Sequence, residues 1–319
     1  MRRFITVVAA MLAFALAGVS RAAAAFPDRP IHIVVPYIPG VGADIAIRLL
    51  SEKLTAIWGV SVVIDNRAGA SGAIGTNFVI HSTPDGYTLL VTGESIYSVY
   101  LQPTPPYDPI KDITPLARII GIPYALVARK DFPASTWSEF VAYAKANPGK
   151  VTISTPGYGT PHHILTELLM RDVGLDLYQV PGTAGVVQDV LAGRLDMMFQ
   201  PASVVAPLMA TGIKALAAGG RERTVGLPNT PSFAELGVTA LINSDSVNGI
   251  FIANGAPPET IKILADGFHR ALEDPAIIAK LRDAGFNTAF LDASQYAPIV
   301  RATGGRWEEI LRDARDKQR

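Results

Sequence analysis

One loop rich in glycine and threonine carries the strongest signal for binding chemistry in this sequence. It reads Thr155-Pro-Gly-Tyr-Gly-Thr160, and Pro161-His-His163 follows at the start of a stretch with helical apolar spacing. Glycines on both sides of Tyr158 allow the backbone to approach a ligand closely, and Thr160 suits a helix N-cap. Free N–H groups and a hydroxyl at such a terminus favour a carboxylate or another anion. The alternative is a strand–helix connection with a competent cap and no ligand.

A second loop, Pro36-Tyr-Ile-Pro-Gly-Val-Gly-Ala-Asp44, has a similar character. Its two prolines stiffen the chain and its two glycines expose the backbone. Asp44 stands near the start of the next helix and can cap it. We expect capping to be the main role of Asp44, which leaves Tyr37 and the loop amides for a ligand or for ordered water.

Catalytic and metal chemistry has little support. His162, His163 and Glu167 are metal-ligand types, but adjacent histidines point in different directions on a helix, and no second cluster supports them. The stretch Gly69–Gly75 has neither the Gly-Lys-Ser/Thr of a phosphate loop nor dinucleotide-binding spacing. The sequence contains no cysteine and no Gly-x-Ser-x-Gly. We predict a protein that is not an enzyme and has no catalytic residue, no metal site and no cofactor.

The elements that must position these loops alternate between strands and helices. Strands are predicted at Ile31–Val35, Val60–Ile64 and Tyr87–Thr92, with helices between them, which indicates parallel pairing with right-handed crossovers. The first helix is predicted from residue 43 or 44, with an apolar face of Ile45, Leu49, Leu50 and Leu54.

A separate set of strands and helices fills the middle of the chain. The fold class is therefore α/β, with two domains that are each a mostly parallel sheet flanked by helices. The first domain is predicted at 26–125 plus 248–319 and the second at 126–247. Ligands of such sheets bind at the carboxyl ends of the strands.

The N-terminus predicts export. Arg2 and Arg3 precede an apolar run from Phe4 to Val19, and Ala23-Ala-Ala25 fits a cleavage site before Phe26. An uncleaved anchor is the alternative, but the run is short for a spanning helix. Residues 1–25 carry three arginines and no acid, so removal leaves 25 Lys and Arg against 28 Asp and Glu. That balance gives no basic surface for nucleic acid, and no later run could span a bilayer.

Several short motifs lie between residues 26 and 237. They are Phe26-Pro-Asp-Arg-Pro-Ile31, Val35-Pro-Tyr-Ile-Pro-Gly40 with Asp44, Asp65-Asn-Arg-Ala-Gly69 with Gly72 and Gly75, Pro84-Asp-Gly-Tyr-Thr-Leu89, Pro106-Tyr-Asp-Pro109, Ala146-Asn-Pro-Gly149, Val180-Pro181, Gly193-Arg-Leu-Asp196 and the segment Pro228–Gly237. In this order and spacing, they resemble one family: the substrate-binding component of tripartite tricarboxylate transporters, also called Bordetella uptake gene receptors.

The resemblance implies a periplasmic-binding-protein clamp that closes on a small carboxylate. Carried onto this chain, the first-domain wall is Tyr37–Gly42 with Thr92–Ser95, and the opposite wall is Thr155–Thr160 with His163. The predicted ligand-binding residues are Tyr37, Pro39, Gly40, Gly42, Thr92, Gly93, Ser95, Thr155, Gly157, Tyr158, Gly159, Thr160, His163, Thr183 and Gln200.

Three departures from the family pattern bear on the ligand. The chain reads Val180-Pro-Gly-Thr183 where the family has an aromatic residue and a base, and Gln200 where it often has Asp. Tyr158 replaces a small polar residue. The lost base removes an ion-pair partner for a second carboxylate, and the lost Asp argues against an ammonium group. Tyr158, with Tyr37 and Tyr97, favours an aromatic or apolar carboxylate over citrate.

These observations lead to one hypothesis with two rivals. We expect a monomeric periplasmic receptor that delivers its carboxylate to integral-membrane transporter subunits. A secreted esterase on the same scaffold is one alternative, and a receptor feeding a signalling partner is the other.

Overall fold

The computed structural model describes residues 26–182, 185–242 and 246–317, with the backbone alone for 246–247 and 316–317. The predicted signal peptide and Thr183 lie outside the described residues. Within these ranges, no helix is long and apolar enough to cross a membrane.

A six-stranded sheet forms the first domain. In spatial order its strands are β11 (Asn287–Asp292), β4 (Ile113–Ile122), β10 (Ser246–Ala253), β3 (Thr88–Thr92), β1 (Ile31–Val35) and β2 (Val62–Asn66). Helices α1 (Gly42–Trp58), α7 (Pro258–Leu272) and α8 (Pro275–Asp283) pack on one face of this sheet. Helices α2 (Ala73–Ile80) and α9 (Ala293–Lys317) and the 3₁₀ segment Glu94–Leu101 cover the other face.

A five-stranded sheet forms the second domain. Its order is β7 (Tyr178–Pro181), β6 (Thr152–Thr155), β8 (Met197–Pro201), β5 (Tyr124–Ala128) and β9 (Lys214–Ala218). Helices α3 (Trp137–Ala146) and α4 (Pro161–Val173) bury one face, and α5 (Val186–Leu191) and α6 (Ala202–Leu208) bury the other. Short 3₁₀ turns occur at Ala70–Gly72, Met209–Thr211 and Thr239–Leu241.

Both sheets are mixed, which corrects the prediction of mostly parallel sheets. Pairings β1–β2, β1–β3, β6–β7 and β6–β8 are parallel, whereas all pairings of β4, β5 and β10 are antiparallel. The reason is that β10 and β5 run against their neighbours on both sides. The carboxyl ends of β1, β3 and β4 still meet at one edge of the first sheet, as the site prediction requires.

The chain passes into the second domain and returns through neighbouring strands. Pro123 separates Ile122, the end of β4, from Tyr124, the start of β5. On the return, β10 pairs with β4, with Ser246 opposite Ile122. Tyr124 and Ala125 therefore belong to the second sheet and the backbone of Ser246 to the first. The chain passes from one sheet to the other within two residues of each predicted domain boundary. The domain boundaries themselves remain a prediction.

The first helix shows where the periodicity argument was wrong. Its buried apolar residues are Ala43, Ala46, Ile47, Leu50, Leu54 and Trp58. Ile45 is 38% exposed, and Leu49 only packs at the margin of the core. The buried positions recur at intervals of three and four residues, and Ile45 falls outside that stripe. Leu50 and Leu54 were predicted correctly.

Candidate ligand-binding site

Three hydroxyl groups meet at the carboxyl edge of the first sheet. The Tyr37 hydroxyl lies 2.7 Å from Thr92 Oγ1 and also hydrogen-bonds Ser95 Oγ. Tyr37 comes from the loop after β1, Thr92 ends β3, and Ser95 lies in the first turn of the segment Glu94–Leu101. Burial raises the pKa of Tyr37, although its hydrogen bonds with Ser95 and Thr92 oppose the shift. The phenol is therefore neutral at physiological pH and can donate a hydrogen bond.

Asp44 holds the Tyr37 loop in place. It is 2% exposed and accepts hydrogen bonds from the Gly40 amide, Arg48 Nε and Asn66 Nδ2, each at 2.9 Å. Asn66 Nδ2 also donates to the Tyr37 carbonyl at 3.2 Å. Burial alone would raise the pKa of Asp44, but the bonds from Arg48, Gly40 and Asn66 outweigh it and lower that pKa to about 2.

The role of Asp44 therefore differs from a simple N-cap. Helix α1 has Val41 as its N-cap, without a side-chain bond, and Asp44 binds the loop that precedes the helix. The Gly40 amide is consequently committed to Asp44, while Pro39 is exposed. A Cβ at Gly42 would lie 2.9 Å from Ile122 Cδ1, so this glycine packs closely against the end of β4.

The second-domain wall is a loop stabilised by its own side chains. The Thr160 hydroxyl donates to the Gly157 carbonyl at 2.7 Å and accepts from the His163 amide at 3.4 Å. His163 is 1% exposed, and its Nδ1 accepts from the Gly159 amide at 3.3 Å. The hydroxyl proton of Thr160 and the Nδ1 of His163 are thus used within the loop. Tyr158, which packs edge-on against His163 at 5.1 Å, remains 47% exposed.

The two walls touch at Gly159. A Cβ built there would lie 2.3 Å from Leu101 Cδ1, in the segment that begins with Glu94. The structure thus brings Tyr37, Thr92, Gly93 and Ser95 together in the first domain and Gly157–Thr160 with His163 in the second. Leu101 was not predicted, because its role depends only on the approach of the domains.

Three further predicted residues lie apart from these groups. Thr155 is buried, and its carbonyl accepts from the Gly182 amide at 2.7 Å. Gln200 is partly buried in β8, opposite Ala125. The Tyr97 hydroxyl donates to the Val300 carbonyl at 3.0 Å within the first-domain core, so the suggestion that Tyr97 joins Tyr158 is not supported.

Ion pairs connect the domains at a distance from the loops. Arg171 on α4 contacts Glu309 at 2.8 Å and Asp313 at 2.9 Å, both on α9. All three side chains are substantially exposed, so these contacts add little to stability. Among residues 26–182, 185–242 and 246–317, no group of three His, Cys, Asp or Glu could hold a metal ion.

His162 lies beside the loop in an apolar setting. Its ring packs edge-on against Tyr124 at 5.2 Å, and its Nδ1 has no hydrogen-bond partner among the described residues. Burial lowers the pKa of His162 to about 4. The imidazole is therefore neutral near pH 7, which suits packing and not anion binding.

Protonation of His162 should make the protein sensitive to mild acid. Because the folded pKa is about 4 against a usual 6.5, stability should fall as pH drops through 6.5 and level off below 4. Between pH 6.5 and 4, the free energy of unfolding should fall by about 3 kcal/mol more in the wild type than in His162→Phe. Urea unfolding across this range measures the difference. His32→Phe, at an exposed position, is the control and should retain the wild-type slope; equal slopes in all three proteins would contradict the prediction.

Comparison with known proteins identifies the family of this chain. Residues 46–315 match the family described as Tripartite tricarboxylate transporter family receptor. The chain belongs to this family. A UPF0065 protein in the gbd 5' region of Cupriavidus necator is 31% identical over 96% of this chain and 94% of its own.

Two solved structures extend the comparison to the fold. The periplasmic binding protein BugD is 26% identical with a TM-score of 0.70, covering 91% of this chain and 98% of its own. MatC from Rhodopseudomonas palustris, with bound malate, is 29% identical with a TM-score of 0.70, covering 90% and 100%. These matches confirm the predicted family and the two-domain α/β fold. Because the family consists of solute-binding receptors, they also confirm that this receptor is not an enzyme.

Proposed function

We propose that this receptor captures a small carboxylate between its two domains in the periplasm and delivers it to membrane transporter subunits. The observation that carries the proposal is the hydroxyl group cluster of Tyr37, Thr92 and Ser95 beside the Gly157–Thr160 loop. Neutral donors at the end of a parallel pair of strands can bind a carboxylate without an ion pair. The malate bound by MatC supports the same class of ligand.

Capture would proceed by domain closure. The chain crosses between domains at Pro123 and again before β10, so bending at these points changes the gap between the walls. A ligand that contacts both walls stabilises the closed arrangement by its differential affinity for that state. Each wall is already held by internal bonds, so little loop ordering opposes binding.

An aromatic or apolar carboxylate is the finer part of the proposal. Tyr158 presents an aromatic ring that is 47% exposed on the second wall. Such a ring packs against another ring or an aliphatic chain. The predicted signal peptide supports the periplasmic location, and membership of a transporter receptor family supports delivery.

Thermal melting against a ligand panel tests the proposal. The panel is malate, citrate, adipate and benzoate at equal concentration and pH, with ethanolamine as a cationic control. A carboxylate at one hundred times its dissociation constant should add about 2.7 kcal/mol and raise the melting temperature by several degrees. Tyr37→Phe should reduce that shift. No shift with any carboxylate, together with hydrolysis of an ester substrate, would refute the receptor function.

A further inference from the structure

A second cavity lies between the domains and borders the predicted first-domain wall at Gly93 and Glu94. Its volume is about 520 Å³. Of the predicted ligand-binding residues, Gly93 alone lines it. We call it the crossover cavity, defined by Arg118, Phe251, Phe286 and Tyr296 of the first domain and by Arg221 and Arg223 of the second.

The sheet order places the crossover cavity on the other side of the crossing strands. Tyr37 and Thr92 follow from β1 and β3, which lie on one side of β10 and β4, whereas Phe286 and Asn287 belong with β11 on the opposite side. In the second sheet, Thr155 ends β6, while Arg221 follows β9, on the far side of β5. The cavity therefore extends to the opposite side of the connection from Tyr37 and Thr155, and it borders the carboxylate cleft at Gly93 and Glu94.

Arg118 contributes a cation to the cavity wall. It lies in β4 opposite Gly249, and a Cβ at Gly249 would be 2.4 Å from the Tyr296 ring. Glycine at that position thus gives Tyr296 the room to lie across the strand. Arg118 Nε is buried and has no hydrogen-bond partner among the described residues. A buried N–H without an acceptor is costly, so an acceptor from outside the chain would be stabilising.

The cavity wall carries charged side chains of both signs. Arg223 is neutralised by Glu235 at 2.9 Å. The guanidinium of the exposed Arg221 makes no ion pair or hydrogen bond within the described parts of the chain. Glu94 and Glu222 contribute negative charge at the same wall, and Arg282 is paired with Asp283 at 3.7 Å. Two guanidinium groups, one from each domain, are therefore available to an anion.

The wall between these cations is aromatic and apolar. Phe251, Phe286 and Tyr296 are each at most 5% exposed, and the Phe251 and Tyr296 rings pack at 5.8 Å. Burial raises the pKa of Tyr296, so its phenol stays neutral. Cations at one part of a cavity and aromatic rings at another suit an anion that carries an aromatic ring.

We propose that the crossover cavity is a second binding site, for a small aromatic carboxylate held between Arg118 and Arg221. Because these residues belong to different domains, the bound anion bridges the domains behind the connection. It therefore favours one domain arrangement. The anion changes the affinity of the cleft for its ligand by some factor, and the cleft ligand changes the affinity of the cavity for the anion by the same factor. This inference goes beyond the proposed function and does not depend on the identity of the transported ligand.

Fluorine NMR with 4-fluorobenzoate as the probe tests the second site. Titration of the full receptor should give saturable broadening of the probe resonance. The dissociation constant should rise at least tenfold in Arg118→Gln and in Arg221→Gln, because each removes one guanidinium. Arg29→Gln, at an exposed arginine paired with Asp85, is the matched control and should leave the constant unchanged. Circular dichroism and melting of each variant verify folding.

The Tyr37→Phe variant separates this inference from the proposed function. Binding at the crossover cavity should survive Tyr37→Phe, whereas binding at the cleft should weaken. An unchanged affinity in both arginine variants, or its loss in Tyr37→Phe alone, overturns the second site. Equal binding of 4-fluorobenzyl alcohol would also overturn it, since that probe has no carboxylate. If no carboxylate gives a melting shift that Tyr37→Phe reduces, while 4-fluorobenzoate binding depends on the two arginines, the proposed function is rejected and this site stands.

Discussion

Replacing Asp44 with alanine should lower the free energy of unfolding by about 3 kcal/mol and should also abolish carboxylate binding at the cleft. The change leaves the Gly40 amide and Asn66 Nδ2 without their acceptor, and both groups lie in the partly buried base of the loop. The Tyr37 hydroxyl then loses its fixed position beside Thr92. Urea unfolding and the melting panel measure the two effects.

Matched variants show whether the effect comes from the acceptors. Asp44→Asn keeps one of the two acceptor oxygens, so it should lower the free energy of unfolding by about half as much as Asp44→Ala. Asp266→Ala removes an exposed carboxylate from a surface pair with Lys262 and should change stability by less than about 0.5 kcal/mol. A loss in Asp44→Ala no larger than in Asp266→Ala would contradict the anchoring role.

Asp44 also has a signature in acid. Its folded pKa of about 2 lies below the usual 3.8, so its contribution is present above pH 3.8 and is lost as pH falls to 2. The wild type should therefore lose about 2 kcal/mol across this window that Asp44→Asn does not lose. The window lies below that of His162, so the two contributions are separable by pH.

Replacing Gly159 with alanine should weaken carboxylate binding at least tenfold. The residue has φ of 75°, which disfavours a side chain, and the new Cβ would lie 2.3 Å from Leu101 Cδ1 across the domain gap. The loop must therefore move away from the segment that begins with Glu94, which opens the cleft. Melting shifts with the best carboxylate of the panel measure the loss of affinity.

Gly174 supplies the control for the strained backbone alone. Its φ of 69° is nearly the same, and a Cβ there would meet no atom within 4 Å. Gly174→Ala should therefore cost about 1 kcal/mol of stability with unchanged affinity. Shortening the opposing side chain with Leu101→Ala should restore binding to Gly159→Ala. If the double variant binds no better than the single one, the contact with Leu101 is not the cause.

Short sequence patterns predicted the strands and helices that are determined by residues close together in the chain. The β-branched run Ile31–Val35 was correctly predicted as a strand, and all its residues except His32 are buried. Strands β4 and β11 were missed. Strand β4 contains Pro115 and Arg118, and it is fixed by pairing with β10, which lies more than a hundred residues later in the chain. A strand that is fixed by such long-range pairing has no recognisable hydrophobic pattern in a short stretch of sequence.

The binding loops were predictable in place and only partly in role. Glycine and threonine types marked Thr155–Thr160, but the sequence could not show that Thr160 and His163 satisfy the loop itself. The bond between Asp44 and Asn66 joins positions 22 residues apart. Arg118 is the clearest omission: a charged residue inside an apolar strand is unusual, and that signal could have been noticed.

The adjacency of β4 and β10 limits how the second domain can move. The chain leaves the first sheet at Ile122 and returns to it at Ser246, and these two residues are paired partners in the sheet. Two attachment points side by side permit rotation about the line that joins them but resist twisting about the strand axis. We therefore expect opening and closing to be mainly a hinge rotation about that line, which one interdomain distance can follow.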